Sequence, residues 1–116
     1  MSRTSILILS ADPLAAALLG AAVELTGFTP RFAVANEAPR SALLRIRPAL
    51  VLIDRDDQEA CTDAFIGPAL MAAARVVIFH SPRSTGRPGS WPAVRTVVLP
   101  LDVDELARVL SEELDP

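Results

Sequence analysis

Arg47-Pro48-Ala49-Leu50-Val51-Leu52-Ile53-Asp54 is the stretch on which the reading of this chain turns. Ala49 to Ile53 is apolar at every position, rich in branched side chains and closed by a proline in front. Such a run is too short for an ordinary helix and shows no alternation. It suits a strand covered on both faces, as in a parallel sheet. The run ends on a carboxylate, Asp54, and Arg55-Asp56-Asp57 then leads into solvent. The chain therefore carries an acidic side chain at the C-terminal end of a buried central strand.

Similar runs lie on either side. Ile6-Leu7-Ile8-Leu9, Arg75-Val76-Val77-Ile78-Phe79 and Thr96-Val97-Val98-Leu99 read as further strands. Pro30 to Ala35 alternates, with Phe32 and Val34 on one face, as an edge strand does. Helical segments separate them. Asp12 is a good N-cap and Pro13 suits the first helical position, which predicts a helix to about Thr26 and a stop at Gly27. Its expected core contacts are Leu14, Leu18, Val23 and Leu25. Asn36 is the expected cap of a second helix, which bears Leu43, Leu44 and Ile46 and ends before Pro48. A third helix is expected from Gln58 to Ala74, kinked or split at Gly67-Pro68. Asp102 caps a last one carrying Val103, Leu106, Val109, Leu110 and Leu114. Ser81 to Trp91, with Pro82, Gly86, Pro88 and Gly89, reads as a long loop, and Trp91 either anchors it on the core or faces a partner.

Strands alternating with helices imply an α/β domain with a parallel sheet covered on both sides. Residues 1–116 read as a single domain: a five-stranded doubly wound sheet in the order 2-1-3-4-5. Ligands of such folds sit beyond the C-terminal strand ends, at the switch point between strands 1 and 3. That rule selects Ser10, Ala11 and Asp12 after strand 1, Asp54 and Asp56 after strand 3, His80 and Ser81 after strand 4, and Leu99 and Pro100 after strand 5.

Composition excludes several classes. A 51% hydrophobic share beside 22% charged residues describes a folded chain with a core of its own. The net charge of −3 and scattered arginines give no nucleic-acid footprint. No apolar stretch approaches the ~18 residues of a membrane span, so no membrane partner is expected. Cys61 is the sole cysteine, which fits a reducing compartment, and it reads as a small apolar helix residue. Ser10-Ala11-Asp12-Pro13 lacks the glycines of a phosphate-binding loop, which argues against a nucleotide or flavin enzyme, the most distant alternative.

Taken together, Ile6-Leu-Ile-Leu-Ser-Ala-Asp-Pro13, Arg47-Pro-Ala-Leu-Val-Leu-Ile-Asp54 and Leu99-Pro-Leu-Asp-Val-Asp-Glu-Leu106 resemble the receiver domain of bacterial response regulators. The resemblance covers nearly the whole chain. It implies two-component signalling, a cytoplasmic bacterial protein, and an aspartate ending strand 3 that accepts a phosphoryl group with the help of Mg²⁺. Asp54 stands at that position. Ser10 and Ala11 stand where the family has an acidic metal-binding pair, and Asp12 matches a third polar position. His80 stands where it has Thr or Ser, with Ser81 one place later. Leu99 replaces the Lys before Pro100, and Thr96 replaces the aromatic switch. An attacking carboxylate needs cations around it, and these substitutions remove them; Asp12 and Asp54 are left as weak metal candidates and no cofactor is expected. The expectation is a degenerate receiver, not an enzyme, that acts through protein–protein interaction. Its partners would be a histidine kinase, a phosphotransfer protein or another regulator, with a homodimer as a further option. Since a loop is expected where receivers have helix 4, any homodimer is expected to use another or a remodelled face. The alternative is a functional single-domain regulator phosphorylated on Asp54.

Overall fold

The computed structural model describes residues 4–80, 91, 94–99 and 102–114. Along the chain the elements are β1 (Ser5–Leu9), α1 (Pro13–Leu25), β2 (Thr29–Phe32), α2 (Pro39–Ile46), β3 (Leu50–Asp54), α3 (Asp63–Met71), β4 (Arg75–His80), β5 (Arg95–Val98) and α4 (Val103–Leu114). All neighbouring strands pair parallel, in the order β2-β1-β3-β4-β5. This is the doubly wound sheet expected from the alternation of apolar runs and helices.

Because side chains alternate along a strand, the fully apolar strands feed two cores. Leu7, Leu9, Val51, Ile53, Val76 and Ile78 point to one face and meet Ala42 and Leu43 of α2 and Phe65, Ile66 and Ala69 of α3. Ile6, Ile8, Leu50, Leu52, Val77 and Phe79 point to the other and meet Leu19 and Val23 of α1 and Leu106, Val109 and Leu110 of α4. Among the described residues no polar or charged side chain is buried. The last helix is as expected: Asp102 Oδ1 accepts from Glu105 N at 2.7 Å, and the 106/109/110 stripe is the buried one.

Several local expectations are corrected. Leu14, Leu18 and Leu25 are 67%, 65% and 74% exposed, and Leu19 and Val23 seat α1 instead. Both stripes of this helix are apolar, so periodicity could not tell the buried one from its opposite. Asn36 does not cap α2. It adopts φ 65°, the left-handed turn conformation that asparagine tolerates, and α2 begins at Pro39 behind Ala38. In α2, Leu43 is buried but Leu44 is 64% exposed. The third helix is one short piece, not a helix from Gln58: Asp57 Oδ1 accepts from Glu59 N and Ala60 N, which holds a turn, and the hydroxyl of Thr62 accepts from Phe65 N and starts α3 there. Pro68 lies inside α3 without splitting it. Cys61 falls in the turn before α3, packed against the first core, and burial pushes its thiol pKa up. Of the expected loop, Ser81 to Ser90 lie outside the described residues. Trp91 packs against the α2/α3 core, and its indole Nε1 donates to Asp63 Oδ1 at 2.6 Å, so it is an anchor.

Candidate functional site

The register of the central strands assembles the site. β1 and β3 pair with Leu9 opposite Ile53, so Ser10 and Asp54, the next residues, stand side by side. Asp54 has the parity of Leu50 and Leu52, and Ser10 that of Ile6 and Ile8. Both side chains therefore leave the sheet on the α1/α4 face. The Ser10 hydroxyl donates to Asp54 Oδ2 at 2.8 Å. The other oxygen, Oδ1, accepts from Asp56 N at 2.9 Å, and Asp57 N donates to the Asp54 carbonyl at 2.9 Å. Each carboxylate oxygen of this half-buried side chain thus has a donor from the protein itself.

Asp12 is turned away from Asp54 toward its own helix. Its Oδ1 accepts from Leu14 N at 3.0 Å and Ala15 N at 3.4 Å, which satisfies two of the free donors at the start of α1. Its backbone N–H donates to Ser10 Oγ at 3.1 Å. Ser10 is consequently the hinge of the cluster, accepting from the α1 end and donating to β3.

A shallow cleft of about 320 Å³ opens over Asp54, lined by Ala11, Asp12, Ala15, Asp54, Asp56, Phe79 and Leu99. Two sequence expectations meet here: Ala11 and Leu99 both face the cleft, where they present a methyl and an isobutyl group. A third is corrected. The register pairs Asp54 with Phe79, so Phe79 stands beside the carboxylate, while His80 has the parity of Val76 and Ile78 on the other face. The His80 carbonyl accepts from Leu99 N at 2.8 Å. Counting residues from the strand end does not reveal this; counting parity from the Asp54 register does. Ser81 and Pro100 lie outside the described residues.

The donor set available to a metal is narrow. The Ser10 hydroxyl is spent on Asp54, Ala11 offers none, and Asp12 Oδ1 caps α1. Among the described residues no three His, Cys, Asp or Glu side chains converge to hold an ion. Mg²⁺ usually keeps several waters and takes one or two carboxylates; the carboxylates that line this cleft are Asp12, Asp54 and Asp56.

No family model and no curated protein matches the chain. Solved structures do. The chain aligns over 98% of its length with 98% of a sensor protein from Polaromonas sp. JS666, at TM-score 0.73 and 24% identity. It aligns over 98% of its length with 99% of SdrG from Sphingomonas melonis Fr1, at 0.72 and 21%. With the signal receiver domain of a LuxO repressor protein from Vibrio parahaemolyticus the figures are 97% and 91%, 0.69 and 16%. The fold is that of a response-regulator receiver domain. Asp54 ends the third strand of that receiver fold, at the switch point between β1 and β3. No helix among the described residues is long and apolar enough to cross a membrane.

Proposed function

We propose that this chain is a receiver-like signalling module that works by binding other proteins, with Asp54 retained as a structural centre in place of a conventional Mg²⁺-dependent phospho-acceptor. The observation that carries the reading is the bond from Ser10 to Asp54 at 2.8 Å. Where phosphoryl transfer to a carboxylate needs a metal and a fixed cation to offset the charge gathering at phosphorus, this cleft offers Ala11 and Leu99, with the Ser10 hydroxyl bonded to Asp54. A hydroxyl satisfies the carboxylate without neutralising it. The partners are signalling proteins, such as a kinase, a phosphotransfer protein or another regulator, and the chain is not an enzyme in its own right.

Incubation with Mg²⁺ and a small acyl phosphate, followed by intact-mass measurement, tests this. The expected result is no stable adduct. A gain of one phosphoryl group that is lost in Asp54→Ala would overturn the proposal and establish a functional single-domain receiver.

A further inference from the structure

α2 and α3 end next to each other at the N-terminal edge of the sheet, where β3 and β4 begin. Arg47 at φ 51° and Ala73 at φ 65° are left-handed residues that stop the two helices there. Between those ends lies a groove of about 300 Å³ lined by Leu43, Leu44, Arg47, Pro48, Ala72 and Ala74. Its walls are hydrocarbon except at Arg47. The apolar surface continues outside it: Leu44 is 64% exposed, and Met71, the residue before Ala72, is 89% exposed.

Charge is segregated toward this corner. Residues 38–50 and 64–75, which build it, hold Arg40, Arg45, Arg47 and Arg75 and no Asp or Glu, in a chain of net charge −3. Arg45 is bonded to Glu37. Arg40 and Arg47 are exposed and have no ion pair among the described residues. Arg40, Leu44 and Arg47 follow at four- and three-residue steps, so they share one side of α2. The carboxylates Asp12, Asp54, Asp56, Asp57 and Glu59 gather at the other edge of the sheet. A five-residue strand separates the two edges by about 17 Å, beyond the roughly 8 Å screening length of physiological salt.

We propose that this groove docks an acidic amphipathic segment of a partner protein, with one apolar side chain in the groove and flanking carboxylates on Arg40 and Arg47. The charge pattern selects that occupant. A basic segment would be repelled by two arginines that lack partners, and a purely apolar one would leave them unused. A free anion inside the groove would face the C-terminal ends of two helices, which disfavour it. An uncharged side chain there, with its carboxylate outside against the guanidinium, avoids that cost. The contact is small and its arginines are exposed, so the dissociation constant belongs on the order of 0.1 mM. The inference rests on the reading of this chain as a protein-binding module, and the two fail separately: intact mass reads Asp54, and the docking experiment reads the opposite edge.

Amide chemical shifts of the nitrogen-15-labelled full chain, titrated with a short peptide of leucines and glutamates, test it. The amides of Leu44, Arg47, Ala72 and Ala74 should shift and saturate, and added salt should weaken the binding. Arg47→Glu should raise the dissociation constant at least about tenfold. Arg40→Glu should act in the same direction and is the second variant should Arg47→Glu misfold, because position 40 lies in the first turn of α2, where an acid is favourable. Leu14→Glu, at an exposed position of α1, should bind as the wild type does. The same peptide with lysines in place of glutamates should leave these amides unmoved. No saturable shift at the four amides overturns the proposal, as does equal binding of the lysine peptide or wild-type affinity in both charge reversals. Shifts there with octanoate but not with the peptide would assign the groove to a small ligand, and shifts with protein concentration alone would assign it to a second copy; either overturns the proposal.

Discussion

The Ser10 hydroxyl and Asp54 Oδ2 meet at 2.8 Å across the seam between β1 and β3, the two strands at which the winding of the sheet reverses. A hydrogen bond to a charged group contributes about 1.5–3 kcal/mol when shielded. Both partners are half-buried here, so about 1 kcal/mol is the appropriate scale. Ser10→Ala should lower the unfolding free energy by roughly that amount in urea titrations. A double-mutant cycle with Asp54→Ala should return a coupling on the order of 1 kcal/mol. Additive single effects would remove the structural role assigned to this pair.

Glu37 and Arg45 close the link between β2 and α2. Arg45 Nε and one terminal nitrogen each donate to the Glu37 carboxylate at 2.8 Å, the same nitrogen reaches the Phe32 carbonyl at 3.2 Å, and Glu37 Oε1 also accepts from Val34 N at 3.0 Å. The Arg45 bond, followed by that from Val34, holds the Glu37 carboxyl at about 2, below its ordinary 4.5. A depressed carboxylate stabilises the fold above its unfolded pKa and loses that contribution as pH falls through the folded one. Between 4.5 and about 2, protection of the Val34 amide from hydrogen exchange should therefore fall. In Glu37→Gln that pH dependence should vanish. A variant whose exchange keeps the wild-type acid slope would assign the loss to other carboxylates.

β1, β3 and β4 were legible because Ile6 to Leu9, Leu50 to Ile53 and Val76 to Phe79 are buried on both faces, a condition that leaves an unbroken apolar run. Asp54 followed from the strand end and the switch-point rule. The face of α1 was not legible, since Leu14 and Leu18 are as apolar as Leu19 and Val23 and only the packed structure separates them. The start of α2 misled because Asn36 suits a cap and a left-handed turn equally well, and here the turn wins. At the site, His80 drew attention as the chain's single histidine, but strand parity hands the place beside Asp54 to Phe79. Asp63 and Trp91 are 28 residues apart, and no local pattern could have joined them.

That pair offers a direct measurement. Trp91 is the only tryptophan in the chain, so intrinsic fluorescence reports on it alone. Its indole packs against the α2/α3 core while Nε1 donates to Asp63 Oδ1 at 2.6 Å, at the first position of α3. Asp63→Ala removes the acceptor and should shift the emission to the red and raise collisional quenching. Asp63→Asn keeps an oxygen at that place and should hold the wild-type spectrum, with a loss of only a few tenths of a kcal/mol from the helix dipole. Equal spectra for the two variants would show that packing alone fixes the indole.

Gly20 owes its place to Phe32. A Cβ on Gly20 would lie 2.6 Å from Phe32 Cζ, so an alanine there forces the ring aside. Two effects oppose each other in Gly20→Ala. Alanine gains about 0.8–1 kcal/mol of helix propensity in mid-helix, and the displaced ring loses its contact with α1. The ring is 40% exposed and can swing outward, so the net change in wild type should be small. Truncation of the ring separates the two terms. In a Phe32→Ala background the three ring atoms nearest the added methyl are gone, and Gly20→Ala should then stabilise by close to the full propensity gain. Urea denaturation of the four proteins in the cycle measures this, with a positive coupling as the expected sign. If alanine proved equally favourable with and without the ring, close packing at Phe32 would not be what holds position 20 as glycine.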